Sequence, residues 1–119
     1  MKTWNEAEVL CQQENVHLAS VTSSAVNQYV TDGMNSRGFS NTWIGGNDID
    51  EEETWKWTDN SPFGFTFWPS WEPNGGRSEN CIHYKLRTNQ IMWNDVTCST
   101  SFTFVCSKKK AKISGRIMC

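Results

Sequence analysis

The sequence lacks any apolar run of about 18 residues, so no part of it is a candidate to cross a bilayer as a helix. It has no CxxC pair, which leaves zinc-ribbon and thioredoxin-like readings without support. Only two histidines are present, His17 and His83, and neither sits in HExxH or another metal-helix spacing. GxSxG, the P-loop and GxGxxG are missing as well. The chain is therefore expected not to be an enzyme, with both histidines serving as packed or surface side chains. No signal peptide is visible, so a secreted chain has lost its leader. No internal repeat and no second domain is visible either.

From Lys108 onward there is no acid, only the cations Lys108, Lys109, Lys110, Lys112 and Arg116. The rest of the chain carries thirteen acids against six Lys and Arg, a balance of −7 hidden beneath the net −2. Residues 108–119 are expected to form a solvated basic tail rather than a polyanion- or membrane-seeking segment. An acidic body attracts cations without by itself defining a site, and no nucleic-acid partner is expected.

What the sequence has in quantity is aromatic rings: seven Trp, six Phe and two Tyr among 119 residues. Each such ring buries about 150–250 Å², so a chain with room for one core fills it with a few of them, and most of the tryptophans belong there. There are also five cysteines, Cys11, Cys81, Cys98, Cys106 and Cys119. Four in the body and one at the last position suggest two internal disulfides and an odd thiol; spacing selects none of the three pairings. A bridge closing most of the chain contributes about 4–5 kcal/mol in the chain-entropy model. Such bridges indicate an oxidising, extracellular compartment.

Thr3-Trp4-Asn5-Glu6 is a capping box. Trp4, Ala7, Leu10 and Cys11 then share one face, which predicts a helix from about Trp4 to Glu14. Ser23 or Ser24 opens a second helix with Val26, Tyr29, Val30 and Met34 as its apolar stripe, ending between Gly33 and Gly38. Short strands follow: Thr42-Trp43-Ile44, stopping at Gly45-Gly46; Trp55-Lys56-Trp57; Cys81-Ile82-His83-Tyr84; Ile91-Met92-Trp93; and Phe102-Thr103-Phe104-Val105. Residues 59–76 show no sustained periodicity and are rich in Pro, Gly and aromatics. A loop of that length is uncommon in a compact domain unless it carries function. Helices followed by strands place the chain in the α+β class.

Oxygen-bearing side chains gather in that loop and just beyond it: Glu72, Asn74 and Glu79, then Asn94-Asp95 after Trp93. Carboxylates and amides are the ligands of a hard cation such as Ca²⁺, which takes about six to eight oxygens. Surface loops are also commonly rich in such residues, and chemistry alone leaves both readings open. Pro73 stiffens the loop between Glu72 and Asn74.

Trp43-Ile44-Gly45-Gly46, Glu72-Pro73-Asn74, Glu79-Asn80-Cys81 and Trp93-Asn94-Asp95, with the four body cysteines, resemble C-type lectin domains in the same order. The resemblance covers roughly residues 3–107, leaving 108–119 as the tail. It implies an α+β fold with two helices, two small antiparallel sheets and a long calcium-binding loop. It also implies the disulfides Cys11–Cys106 and Cys81–Cys98. Carried over residue by residue, it makes Glu72, Asn74, Glu79, Asn94 and Asp95 the ligands of a sugar-binding calcium. Glu-Pro-Asn implies mannose-type ligands (mannose, N-acetylglucosamine, fucose, glucose), whereas Gln-Pro-Asp accompanies galactose. Val96 either touches the sugar ring or is filler. The alternative within the same resemblance is a lectin-like protein that binds a protein partner or ice through these loops.

The sequence also departs from the family pattern. A second calcium set maps to Asp48, Glu52, Gly75, Glu79 and Asn80, but Gly75 brings no side-chain oxygen and Asn80 stands where an acid is usual. The acidic run from Asp48 to Glu53 fits either a cation or a solvated loop. The family's amino-terminal strand is missing, which predicts an unpaired edge on the Phe102–Val105 strand. That edge and Cys119 are two routes to a homodimer. The expected setting is secreted, or the extracellular part of a membrane receptor.

Overall fold

The computed structural model describes residues 1–51, 54–69, 79–88, 90–107, 109–110 and 117–118. Helix α1 (Trp4–Gln13) starts at the capping box: Thr3 Oγ1 accepts from Glu6 N–H at 3.3 Å, and Thr3 N–H donates to Glu6 Oε1 at 3.0 Å. Its buried face holds Trp4, Ala7, Glu8 and Cys11. The helix is tied down by Trp4 Nε1 donating to the Ile44 carbonyl at 2.9 Å.

Helix α2 (Ser24–Arg37) is capped by Ser23 and runs through Gly33 to Gly38, which adopts the left-handed conformation at φ 70°. The predicted stripe is half right. Val30 and Met34 are buried, but Tyr29 is 53% exposed and Asn27 takes the inward place. The reason is polar: Asn27 Oδ1 accepts from the buried Tyr84 hydroxyl at 2.5 Å, which satisfies both groups away from water.

The main sheet has five strands: β1 (Asn41–Asn47), β2 (Lys56–Trp57), β3 (Cys81–Arg87), β4 (Gln90–Val96) and β5 (Thr103–Phe104). The order is β2-β1-β3-β4, antiparallel throughout, with β5 joining the first half of β1 in parallel. Strand β1 does not stop at Gly45-Gly46 as expected; it continues through both. A Cβ at Gly45 would lie 2.8 Å from the Leu18 carbonyl oxygen, and one at Gly46 would overlap Ile82 Cδ1. The glycines therefore mark close packing on the strand, not its end. A second, two-stranded sheet pairs β6 (Lys109–Lys110) with β7 (Ile117–Met118), so the expected solvated tail includes a short ladder.

The predicted unpaired edge at Phe102 is met by Lys2. Its N–H donates to the Phe102 carbonyl and its carbonyl accepts from Phe102 N–H, both at 2.9 Å. Further along, Ala19 N–H donates to the Val105 carbonyl at 2.9 Å and Ser107 N–H to the His17 carbonyl at 2.8 Å. Disulfides join Cys11 to Cys106 and Cys81 to Cys98, the pairs the resemblance implies. No described helix is long and apolar enough to cross a membrane.

Two apolar clusters fill the interior. One packs Trp4, Ala7, Leu18 and Trp43 around the cysteines Cys11 and Cys81. The other centres on Trp93, whose ring centroid lies 5.5 Å from Trp57, 5.4 Å from Trp68 and 6.0 Å from Phe63. The long-loop aromatics Phe63, Phe65, Phe67 and Trp68 are thereby laid over the sheet. Trp93 N–H adds a hydrogen bond to the Phe67 carbonyl at 3.1 Å.

Glu8 is the most exacting buried acid of α1. Its carboxylate accepts from Leu18 N–H at 3.0 Å and Gln12 Nε2 at 2.6 Å, and it pairs with His17 Nδ1. Burial pushes its pKa up, but these three partners outweigh burial and hold the carboxyl below its ordinary 4.5. A depressed carboxylate stabilises the fold above its unfolded pKa and ceases to do so as pH falls through the folded value. Glu8→Gln should cost about 1–3 kcal/mol at neutral pH. It should also flatten the loss of stability between about pH 5 and 3, read from urea midpoints across that range.

Candidate functional site

Strands β3 and β4 form a hairpin in register from Cys81 opposite Val96 to Arg87 opposite Gln90. The Cys81–Cys98 bridge ties its open end, and Asn47 of β1 pairs with Cys81 on the other side. Asp48 N–H donates to the Asn80 carbonyl at 3.0 Å. One end of the sheet thus gathers Asp48 after β1, Glu79 and Asn80 ahead of β3, and Asp95 and Val96 at the end of β4.

Asp48 and Asp95 are both 2% exposed, while Glu79, Asn80 and Val96 are half-buried. The Glu79 carboxyl is raised above its ordinary 4.5, first by burial and then by the negative charge of Asp95, which together outweigh the pull of Lys85. A carboxyl raised by burial and by a neighbouring acid is what a cation relieves. Asn80 Oδ1 is sealed from bulk solvent without a hydrogen-bond partner among the described residues. These oxygens suit a hard cation.

Asn94 is held differently. It pairs with His83 across the ladder, whereas Asp95 pairs with Ile82, so the two neighbours leave opposite faces of the strand. Arg87 Nη2 donates to Asn94 Oδ1 at 2.8 Å. Because guanidinium only donates, this fixes the amide: Nδ2 is the donor to His83 Nε2 at 2.9 Å, and the His83 ring proton sits on Nδ1. Burial, with help from Lys85 and Arg87, pushes His83 down to about 3. The neutral ring stacks on Phe102 at 4.4 Å.

Glu72, Asn74 and Glu52, and Cys119 with them, lie outside the described residues. Among the described residues no three His, Cys, Asp or Glu side chains form a metal-holding group by themselves. Residue reading missed Arg87 and the part His83 plays. The available signal was parity: Arg87 and Asn94 share a sheet face only once Arg87 is set opposite Gln90.

The family model for the lectin C-type domain matches residues 1–108. The chain is a C-type lectin domain. The domain is 38% identical over 112 residues to a "C-type lectin mannose-binding isoform" of Oxyuranus scutellatus, covering 88% of this chain and 70% of that protein. Among solved structures it resembles the C-type lectin domain of murine dendritic cell inhibitory receptor 2 in complex with N-glycan. The TM-score there is 0.74 and the identity 30%, over 89% of this chain and 79% of that one. A calcium-independent type II antifreeze protein is similar too, with TM-score 0.78 and 29% identity over 88% of this chain and 77% of that one. The lectin fold is therefore shared by a domain in complex with N-glycan and by a calcium-independent antifreeze protein.

In this C-type lectin domain Asp95→Asn should lower the Glu79 titration of the metal-free protein toward its ordinary 4.5. Carboxyl-carbon NMR across the acid range would read the shift, and an unmoved Glu79 would assign the whole effect to burial.

Proposed function

We propose that this domain binds mannose-type glycans (mannose, N-acetylglucosamine, fucose or glucose) through a calcium ion held by Glu72, Asn74, Glu79, Asn94 and Asp95. The observation that carries the reading is the gathering of Glu79 and Asp95 at one end of the sheet, where burial and then the charge of Asp95 raise the Glu79 carboxyl. A relative that is 38% identical is described as a mannose-binding isoform, which favours the same ligand class here. Calcium, when bound, supplies coordination positions for two vicinal sugar hydroxyls. The carboxylates of Glu72 and Glu79 accept from those hydroxyls and the amides of Asn74 and Asn94 donate to them. Charged acceptors strengthen such bonds, and Val96 lies beside the ring.

A second calcium at Asp48, Glu52, Glu79 and Asn80 belongs to the same proposal, supported by the unpartnered Asn80 Oδ1. Residues 3–107 form the recognition unit and 108–119 a basic appendage. The setting is extracellular, as the two disulfides favour. Pairing of two copies through Cys119 would raise avidity for weak monovalent sugars. A second reading, binding of ice or a protein without calcium, is favoured by the likeness to a calcium-independent antifreeze protein.

Retention on mannose-agarose in calcium with release by EDTA is the expected outcome. Retention indifferent to EDTA, or none with calcium present, sinks the proposal. The double variant Glu72→Gln/Asn74→Asp should move binding from mannose toward galactose by about tenfold or more, measured by competition with free sugars. An unchanged sugar profile would remove these two residues from ligand selection.

A further inference from the structure

We infer that Arg87 is a positioning residue that holds Asn94 out of the cation site and competes with calcium for its carboxamide oxygen. The inference rests on the calcium reading above and adds a residue that the motif does not contain. Asn94 has one side-chain acceptor atom, and Arg87 Nη2 occupies it at 2.8 Å. One of its two amide protons is engaged too, by His83 Nε2 at 2.9 Å. The amide is 8% exposed and clamped at both ends on the face opposite Asp95.

Calcium binds carboxamide oxygen at about 2.3–2.6 Å. Guanidinium and calcium on the same oxygen would stand only a few ångströms apart, and two cations at that separation repel strongly in a partly desolvated site. Asn94 therefore has two exclusive arrangements. In one its oxygen is on Arg87 and its nitrogen on His83. In the other its oxygen turns toward Glu79 and Asp95, and Arg87 swings aside. Since the Arg87 bond must break first, part of the calcium affinity is lost to that rearrangement, as for any ligand whose competent state is a minority.

Calcium titration by calorimetry on the full chain, compared with Arg87→Met, tests the clamp. Met keeps the aliphatic stem and removes the charge and the donors. Calcium should bind Arg87→Met about tenfold more tightly, and Arg87→Lys, a charge without the fork, should fall between. Equal, measurable affinity in wild type and Arg87→Met overturns the inference and leaves the calcium reading standing. No calcium binding to either protein sinks the calcium reading, and the inference with it. The wild-type protein gives a second readout that does not depend on a variant folding. Adding calcium should shift both the Asn94 side-chain amide resonances and the His83 Nε2 resonance in nitrogen-15 NMR. Calcium binding that leaves both in place overturns the clamp.

Discussion

Trp93 lies wholly buried in β4, and the packing of its ring sets the geometry around it. Trp57, Phe63, Phe65 and Trp68 pack about it, and the backbone N–H of Trp93 donates to the Phe67 carbonyl. Those contacts press the long loop against the sheet at residues 63–68, immediately before the Glu72-Pro73-Asn74 segment. The same ring fixes the rotation of β4. With Trp93 facing inward beside Tyr84, strand alternation sends Asn94 to the opposite face and returns Asp95 to the Trp93 face. One buried aromatic thus controls both the loop that would bring ligands and the strand that supplies the rest.

The polar groups near this core divide into two kinds. Some are paired for stability: Glu8 with Leu18, Gln12 and His17, and Tyr84 with Asn27. These satisfy buried charge and hydroxyl, and they bind α1 to the turn before α2, and α2 to β3. Others are left in tension. Glu79 is raised by burial and by Asp95, and Asn80 carries a sealed oxygen with no partner among the described residues. Tension of that sort at the end of a sheet is what a bound cation would relieve under the proposed function. Arg87 belongs between the two kinds: its bond to Asn94 is good pairing at a place where a calcium ligand is expected.

Much of the fold was legible in the residues. Thr3 and Glu6 announce α1 because a capping box is a local hydrogen-bond arrangement, and Ser23 and Gly38 delimit α2 for the same reason. Errors fell where distant partners decide. Tyr29 reads as core by helical period, yet Asn27 is drawn inward by Tyr84. Gly45 and Gly46 read as a strand end, yet the Leu18 carbonyl and Ile82 need the space that a side chain would take. At the site, the oxygen-rich residues and their order could be read directly. The opposite facing of Asn94 and Asp95, and the hold of Arg87 on Asn94, could not.

By itself the sequence determined the class of this protein. A capping box, four body cysteines and the ordered Trp-Ile-Gly-Gly, Glu-Pro-Asn and Trp-Asn-Asp segments are matters of residue type and spacing, and those survive any uncertainty of register. Only the tertiary structure decided which atoms meet. That Asn94 shares a face with Arg87 while Asp95 leaves the other follows from pairing parity between β3 and β4, and a shift of one residue would exchange the two faces. Parity is set by the burial of Trp93, Tyr84 and Ile82 together, a collective packing choice that no short stretch of chain contains.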